Sequence, residues 1–160
     1  RRAGLAASEE RLAHATDTAG RFAVLVLDLD EFKSINDSYN HETGDAALLR
    51  FAQVMIDQVD DRGVICRLGG DEFEIGLDGA SLEQALVFAE ELRTSLRRSL
   101  QASDGGLPEF NVSTGVACYP EDGATPAELG RHADEAMYAA KAAGGDRCRA
   151  WRRQAPRQAA

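Results

Sequence analysis

The sequence predicts an α+β domain in which a central, mostly antiparallel sheet of five strands is flanked by helices. Helix-like and strand-like segments follow the order α, β, α, α, β, β, α, β, α, β, and two of the strands are joined as a hairpin. Neither a GxxxxGK[ST] nor a GxGxxG motif follows a strand, so a doubly wound nucleotide-binding fold is disfavoured. At 160 residues with 44% apolar side chains, the chain has the size and composition of one domain with its own core.

The acidic composition limits the partners that the chain can have. Eighteen Lys and Arg residues against 27 Asp and Glu give a net charge of −9. This argues against a binder of duplex DNA or of anionic membranes but permits a small anionic ligand at a local cationic or metal site. No apolar run approaches the ~20 residues of a membrane span. The cysteines and histidines are scattered singly, so no zinc site is predicted, and Cys66 and Cys118 are expected to be buried and inert.

The N-terminal half begins with a helix and a buried strand. Residues 1–18 mix apolar and charged positions as a helix does, and residues 22–27 form a continuous apolar run, which is typical of a strand covered on both faces. Residues 33–38 predict a short helical turn. The next helix is expected to begin near Thr43 or Gly44, because apolar residues recur there at helical spacing. The residues of that stripe are Leu48, Phe51, Ala52, Met55 and Val59.

A β-hairpin and a capped helix follow. Residues 63–68 and 72–77 predict strands on either side of Gly69-Gly70, so the hairpin has its tip at Gly-Gly-Asp, and apolar residues alternate with polar ones in its second strand. Ser81-Leu-Glu-Gln84 is a capping box, which predicts a helix through about residue 100. The basic residues near the end of that helix, which suit its dipole, are Arg93, Arg97 and Arg98.

The C-terminal part supplies one more strand, one more helix and a short final strand. Residues 110–119 predict a strand that stops at Pro120. Thr125 is the expected N-cap of a helix that ends near residue 143, and residues 147–151 predict the last strand. We therefore expect one domain over residues 1–150, with residues 151–160 as a tail or linker.

Acidic side chains stand at the predicted ends of two strands. Asp28 and Asp30 follow the apolar run and share a face if that strand continues, whereas Asp71 and Glu72 lie at the tip of the hairpin. Carboxylates at neighbouring strand ends repel one another unless a cation joins them, and oxygen ligands select Mg²⁺ or Mn²⁺. These ions often bind substrate phosphates, so the pattern points to a phosphoryl-transfer site. Strand ends are also solvent-exposed, and ordinary surface acids explain the same spacing.

Four further polar residues fit a nucleotide. An acid accepts hydrogen bonds from the N1 and N2 donors of guanine and an amide donates to its acceptors, so Asn36 and Asp45 are candidate guanine readers. Lys33 and Lys141 are the candidate phosphate cations. Each residue also has a simpler explanation: Asn36 belongs to a turn, Asp45 complements a helix N-terminus, and the lysines are solvated.

Several ordered motifs give the chain a specific resemblance. The motifs are Leu27-Asp-Leu-Asp-Glu-Phe-Lys-Ser-Ile-Asn-Asp37, His41 with Gly44-Asp45, Arg67-Leu-Gly-Gly-Asp-Glu-Phe73, Ser113-Thr-Gly-Val-Ala117, Tyr119-Pro-Glu-Asp-Gly123 and Ala133-Asp-Glu-Ala-Met-Tyr-Ala-Ala-Lys141. With them, the chain resembles the GGDEF domain, the catalytic domain of diguanylate cyclases, from residue 22 to about residue 148.

The resemblance implies a fold related to nucleotidyl-cyclase and polymerase-palm domains, and condensation of two GTP into cyclic di-GMP with loss of two pyrophosphates. It implies Mg²⁺, or Mn²⁺, held by Asp28, Asp71 and the Leu29 carbonyl. Glu72 is a further ligand or helps to deprotonate the ribose 3′-hydroxyl. The catalytic residues it implies are Lys33, Asp71 and Glu72, and the substrate-binding residues are Asn36, His41, Asp45, Gly69, Gly70 and Lys141.

The resemblance also implies partners. Each subunit binds one GTP, so catalysis needs a transient homodimer, and sensor, receiver or phosphodiesterase domains are expected in the full-length protein. The expected location is the cytoplasm, including the cytoplasmic part of a membrane-bound sensor, with no nucleic acid and no membrane contact by this segment. The alternative function is a GTP-binding regulatory domain that is weak or inactive as an enzyme.

The chain departs from the family pattern at several positions. Only Arg1-Arg2 could be a remnant of the DxLTxLxNR turn that usually precedes the first helix, so we expect the N-terminus to be truncated at the start of that helix. Glu31 replaces a frequent aromatic or histidine, Asn40 a glycine, and Gly145 an arginine that often contacts phosphate. The inhibitory RxxD motif of many family members is absent, since residues 60–63 are Asp-Asp-Arg-Gly.

Overall fold

The computed structural model describes residues 2–18, 20–102 and 106–152. Within these residues, five α-helices and five strands follow the predicted order. The helices are α1 (Arg2–Asp17), α2 (Phe32–Ser38), α3 (His41–Val59), α4 (Leu82–Gln101) and α5 (Pro126–Ala142), and a 3₁₀ turn, Asp60–Arg62, follows α3. The strands are β1 (Phe22–Leu29), β2 (Gly63–Gly69), β3 (Glu72–Asp78), β4 (Val112–Tyr119) and β5 (Cys148–Ala150).

The strands form one five-stranded sheet in the order β2-β3-β1-β4-β5. β1 lies between β3 and β4 and is antiparallel to both, and β2 is antiparallel to β3. The short β5 runs parallel to β4 at one edge. The sheet is therefore mixed but mostly antiparallel, which confirms the α+β architecture predicted from the sequence.

Helices cover both faces of the sheet. Ala23, Leu25 and Leu27 of β1 pack in a core shared with α3 and α4. Phe22 and Val24 pack in a second core shared with α1 and α5. Because alternate residues of a strand face opposite sides, a strand between two helical layers is apolar at every position. This explains the continuous apolar run, and each large side chain so buried contributes about 1.5–3 kcal/mol to stability.

The start of α3 differs from the prediction. The expected first residue was Thr43 or Gly44, but the helix begins at His41. Asn40 is extended, with φ −179°, and its side chain accepts hydrogen bonds from the Thr43 amide at 2.8 Å and the Thr43 hydroxyl at 3.0 Å. Asn40 is therefore the N-cap of α3. In the sequence, Asn40 and His41 look like turn residues that precede the helix, so Asn40 was not recognised as its N-cap.

The other element boundaries agree with the predictions to within two residues. The capping box of α4 is present, since the Gln84 amide donates to Ser81 Oγ at 3.2 Å and the Ser81 amide donates to Gln84 Oε1 at 2.9 Å. At the other end, Trp151 stacks on His132 with ring centroids 3.8 Å apart. Residues 153–160 of the predicted tail lie outside the described residues, and the domain boundary near residue 150 stays a prediction.

Cys66 and Cys118 are buried, as predicted. Burial raises the pKa of the Cys118 thiol to about 12, so this thiol stays protonated and unreactive at neutral pH. In the described part of the chain, no helix combines the length and the apolar character that crossing a membrane requires.

Candidate active site

The candidate acids meet where β1 ends beside the β2–β3 turn. Asp28 lies opposite Glu72 of β3 on one side and opposite Ser113 of β4 on the other. The Leu29 amide is 3.4 Å from the Asp71 carbonyl oxygen, to which it donates. Antiparallel pairing of β1 with β3 thus brings two segments that are distant in sequence to one end of the sheet.

Asp28 is a buried carboxyl group, only 6% exposed. Burial and the negative charges of Asp71 and Glu72 raise the pKa of Asp28 to about 6, although Lys141 lowers it. Ionising Asp28 is therefore more costly in the folded protein than in water. A cation placed among the three acids would reduce that cost.

Lys141 makes an ion pair with Asp28. It lies in the last turn of α5, and its ammonium group donates to Asp28 Oδ1. The Asp28 side chain is 9% exposed and that of Lys141 31%, so the pair is partly shielded from water. The sequence suggested a phosphate or solvent as the partner of Lys141, and the ion pair with Asp28 was not foreseen. Its contact with phosphate stays a prediction.

The donor set fits a hard divalent cation. Asp28, Asp71 and Glu72 offer carboxylate oxygens and Leu29 offers a backbone carbonyl, and a positive ion would relieve the repulsion that raises the pKa of Asp28. Among the described residues, no three His, Cys, Asp or Glu side chains are close enough to form a metal shell by themselves. Mg²⁺ commonly takes one or two carboxylates and completes its shell with water and substrate phosphates. The arrangement therefore suits an ion that arrives with a nucleotide.

Asp30 does not join these acids. Its Oδ1 accepts a hydrogen bond from Ser113 Oγ, and its Oδ2 accepts one from the Asp146 amide, each at 2.7 Å. The shared face expected for Asp28 and Asp30 required the strand to continue, but β1 ends at Leu29 and Asp30 begins a turn. The condition for that shared face is therefore not met, and Asp30 is not among the metal-binding residues that the family resemblance implies.

Asn36 of α2 lies against α3 at Gly44, the residue that precedes Asp45. Asn36 packs on Gly44, where an added Cβ would lie 2.1 Å from Asn36 Oδ1. Glycine at this position therefore leaves room for the amide. Asp45 follows directly on α3 with an exposed side chain. An amide can donate to the acceptors of guanine and an acid can accept from its donors, and the role of both residues in binding stays a prediction.

Arg67 braces the turn that carries Asp71. Its Nε and Nη2 donate to the Gly70 carbonyl at 3.0 and 2.6 Å, and its guanidinium carbon lies 5.9 Å from the centre of the Phe73 ring. Gly69 has φ +158° and Gly70 has φ +54°. Sequence reasoning missed this brace, although an arginine two residues before a glycine pair was the available signal.

Lys33, His41 and Glu31 are all exposed. Lys33 lies in the first turn of α2 and His41 is the first residue of α3, so their contacts with substrate stay predictions. Glu31 precedes α2 with φ +57°, a left-handed conformation that is uncommon for glutamate. A cavity of about 610 Å³ beside Glu31 is lined by Lys141 and by three further acids, Asp30, Glu109 and Asp146.

The mixed sheet, its two helical layers and the braced Gly-Gly-Asp-Glu turn together define an α+β domain of the GGDEF type. A family model described as "Diguanylate cyclase, GGDEF domain" matches residues 1–147. The chain therefore belongs to the GGDEF domain family.

Individual relatives agree with this assignment. The chain is 39% identical over 131 residues to diguanylate cyclase TpbB of Pseudomonas aeruginosa (strain UCBPP-PA14), which covers 81% of this chain and 30% of TpbB. It is 39% identical over 133 residues to the bifunctional diguanylate cyclase/cyclic di-GMP phosphodiesterase MucR of Pseudomonas aeruginosa (strain PAO1), covering 83% of this chain and 19% of MucR. The chain thus spans less than a third of the length of these relatives.

A solved structure shares the whole fold. The active GGEEF domain of a diguanylate cyclase from Vibrio cholerae superposes with a TM-score of 0.87 at 28% sequence identity, and the match covers 96% of this chain and 97% of that one. The arrangement of helices around the sheet is therefore shared with that domain over nearly the whole of both chains.

Proposed function

We propose that this chain is the catalytic domain of a diguanylate cyclase, which condenses two GTP molecules into cyclic di-GMP and two pyrophosphates. The observation that carries the proposal is the meeting of Asp28 with Asp71 and Glu72 at one end of the sheet. Burial, and to a lesser extent the charges of these two acids, raise the pKa of Asp28 to about 6. Ionised acids that lie this close together are stabilised by a bound divalent cation. A metal ion beside a lysine in turn suits a ligand with several phosphate groups.

Four residues hold the metal in this proposal. Asp28, Asp71 and the Leu29 carbonyl bind Mg²⁺, or Mn²⁺, and Glu72 is a further ligand or helps to deprotonate the ribose 3′-hydroxyl. When bound, the ion neutralises phosphate charge and lowers the pKa of that hydroxyl. The protein contributes mainly position and electrostatic stabilisation.

The remaining residues bind and orient the nucleotide. Asn36 and Asp45 read guanine, and their placement beside Gly44 supports this role. Lys33 and Lys141 bind the phosphates as point charges. The residues that complete the substrate-binding set are His41, Gly69 and Gly70.

Two chains are needed for one product molecule. One chain presents one set of guanine-reading and metal-binding residues, whereas cyclic di-GMP is two-fold symmetric and contains two guanines. Each 3′-hydroxyl must face the α-phosphorus of the other GTP, so a homodimer with facing sites completes the reaction. The chain spans 30% of TpbB and 19% of MucR, so the proposal includes sensor, receiver or phosphodiesterase domains in the full-length protein. It also includes a cytoplasmic location.

The test is incubation with GTP and Mg²⁺, with and without a dimeric coiled coil fused before Arg1, followed by chromatography of the product. We expect cyclic di-GMP from the unmodified sequence. Asp71→Ala should abolish turnover but not folding, because a hard ligand is lost from a turn outside the core. Asp78→Ala is the matched control, an acid at the far end of β3 that pairs with Arg11. Full activity of folded Asp71→Ala would refute the metal assignment.

The regulatory domain remains the second candidate, because Gly145 lacks the side chain with which the family often contacts phosphate. Both functions require GTP binding, so only turnover separates them. GTP binding without any product, even after forced dimerisation, would favour the regulatory role.

A further inference from the structure

One carboxylate joins three segments beside the candidate site. Asp30 follows β1, and its amide donates to the Asn111 carbonyl at 2.9 Å. Ser113 Oγ donates to Asp30 Oδ1, and the Asp146 amide donates to Asp30 Oδ2, both at 2.7 Å. Ser113 is fully buried. The Asp30 side chain thus connects the end of β1 to β4 through one oxygen and to the turn between α5 and β5 through the other.

The α5–β5 turn has a backbone that needs such a constraint. Gly144, Gly145 and Asp146 have φ values of +107°, +68° and +48°. A Cβ on Gly145 would lie 2.9 Å from Asp30 Oδ2, so glycine lets the carboxylate reach the Asp146 amide. Unfavourable backbone conformations persist only where the surroundings fix them. The hydrogen bond from Asp146 to Asp30 supplies part of that constraint.

Two arginines of α4 also bind the α5–β5 turn, through the side chain of Asp146. Arg93 Nη1 and Arg97 Nη2 donate to the two carboxylate oxygens of Asp146 at 2.9 and 2.8 Å. Asp146 raises the pKa of Arg93, as expected for a charged partner at this distance. Asp146 therefore has its side chain bound by α4 and its amide bound by Asp30.

The turn also fixes the end of α5. The amides of Gly144 and Gly145 donate to the carbonyls of Lys141 and Ala140 at 2.9 and 3.1 Å. Movement of the turn would therefore move Lys141, which pairs with Asp28. Asp30 is two residues from Asp28, so it links both partners of that ion pair.

The structure assigns to Asp30 the role of a positioning residue whose carboxylate holds the α5–β5 turn against the end of β1 and thereby keeps Lys141 at Asp28 and at the phosphates. We call Asp30, Ser113 and Asp146 the carboxylate clasp. The effect on phosphates rests on the proposed function, whereas the clasp itself does not. Both carboxylate oxygens of Asp30 accept hydrogen bonds, so the role assigned here is one of hydrogen bonding, and the experiment below distinguishes it from metal ligation.

Two substitutions of Asp30 distinguish a hydrogen-bonding role from a metal-binding role. In Asp30→Asn, the amide oxygen can accept from the Asp146 amide while the amide nitrogen donates to the Ser113 hydroxyl, which can also accept. Asp30→Ala loses both bonds. If Asp30 were a metal ligand instead, the neutral amide would be a poor replacement and both substitutions would weaken metal binding. Asp122→Ala is the matched control, because Asp122 also binds a backbone amide, that of Cys118, but at the opposite end of β4.

The experiment compares three readouts on the full chain. The first is the affinity for a fluorescent GTP analogue with Mg²⁺, the second is Mn²⁺ affinity by electron paramagnetic resonance, and the third is hydrogen exchange of residues 144–147. We expect Asp30→Ala to weaken nucleotide affinity by about 10- to 100-fold, as loss of a group that orients metal-site residues typically does. Exchange in the turn should rise at least tenfold. Asp30→Asn and Asp122→Ala should stay within about threefold of the parent in all three readouts.

The outcomes are decisive in both directions. Unchanged exchange at the Asp146 amide in Asp30→Ala, or equal loss of Mn²⁺ affinity in both Asp30 variants, would overturn the clasp. If Asp30→Ala does not fold, Ser113→Ala removes one of the two bonds and should raise exchange in the turn, and an unchanged rate would overturn the inference. Failure of the parent chain to make cyclic di-GMP would refute the proposed function alone, since hydrogen exchange needs no nucleotide.

Discussion

Glu74 is an ionisable side chain in an apolar layer. It lies on β3, is 6% exposed and accepts a hydrogen bond from Ser8 Oγ of α1 at 3.4 Å. Burial raises the pKa of Glu74, and the hydrogen bond from Ser8 only partly opposes this. The folded protein therefore binds a proton at Glu74 more tightly than the unfolded chain does, and its stability falls as the pH rises through the folded-state pKa.

Glu74→Gln should stabilise the protein at neutral pH. The amide can keep the contact with Ser8 and removes the buried charge, so we expect a gain of about 1 kcal/mol in the free energy of unfolding, or a few degrees in Tm. The gain should disappear in acid, where Glu74 is protonated. Thermal unfolding between pH 4 and pH 8 measures this, with the exposed Glu109→Gln as control. A loss of stability at pH 7 would show that the carboxylate is needed in its charged form.

Glu74 also shows which properties of a single residue cannot be predicted from the sequence, namely its burial and its partners in distant elements. Alternation in β3 predicts a polar face, but α1 and α5 cover that face, and local sequence does not say which helices will pack there. The pairs Lys141–Asp28 and Arg93–Asp146 were missed for the same reason, since each joins residues from distant elements. Most candidate site residues could be named from their chemistry and spacing and the others from family motifs, whereas their partners required the fold.

At the scale of elements, local signals were sufficient. The capping box of α4, the helical stripe of α3 and the apolar run of β1 each depend on neighbouring residues, and apart from the start of α3 their boundaries were predicted to within two residues. The contact between α2 and α3 is different, because it depends on Gly44, which the sequence marked as a possible helix start and as part of a family motif but not as a contact with Asn36. From that contact we predict how a substitution at Gly44 affects the proposed binding of guanine by Asn36.

Gly44→Ala should weaken nucleotide binding without destabilising the fold. Alanine favours a helix by up to about 1 kcal/mol over glycine, but its Cβ would lie 2.1 Å from Asn36 Oδ1 and displace that side chain. We expect GTP affinity to fall about tenfold, the value of one hydrogen bond. A double-mutant cycle with Asn36→Ala measures the coupling, because Gly44→Ala should cost nothing further once the amide is gone. Additive losses would disprove the steric mechanism.

The 3₁₀ turn after α3 should not bind the product. Residues 60–63 stand where many relatives carry RxxD, and Asp60 and Asp61 would repel its phosphates. The basic residue, Arg62, donates to the Gln58 carbonyl and lies 5.6 Å from the centre of the Phe88 ring. A Cβ on Gly63 would lie 2.2 Å from the Gly76 carbonyl oxygen, so an aspartate does not fit there without rearrangement. Calorimetry should detect no micromolar binding of cyclic di-GMP at this turn; such binding, if lost in Arg62→Ala, would contradict this.

At the scale of the whole molecule, the net charge opposes the homodimer that the proposed reaction requires. The net charge of −9 disfavours close approach of two chains, and the sequence contains no long heptad repeat to overcome it. The acids at the ends of β1 and β3 would face their counterparts in a productive dimer, where Mg²⁺ and GTP must be present to relieve the repulsion. We therefore expect this segment to be mostly monomeric and to dimerise weakly when loaded.

Specific activity should accordingly rise with protein concentration. In the proposed mechanism one chain holds one GTP, so the rate per chain depends on the fraction of chains that are paired. At low protein concentration that rate should increase nearly in proportion to concentration. Fusing a dimeric coiled coil before Arg1 should raise activity at low concentration and remove most of this dependence, because it raises the effective concentration of the second site.

Higher salt should also favour pairing of the unfused chain, since it screens the net charge of −9. Sedimentation run beside the assay provides the control. Constant specific activity in a species that sedimentation shows to be a monomer would refute the two-chain site.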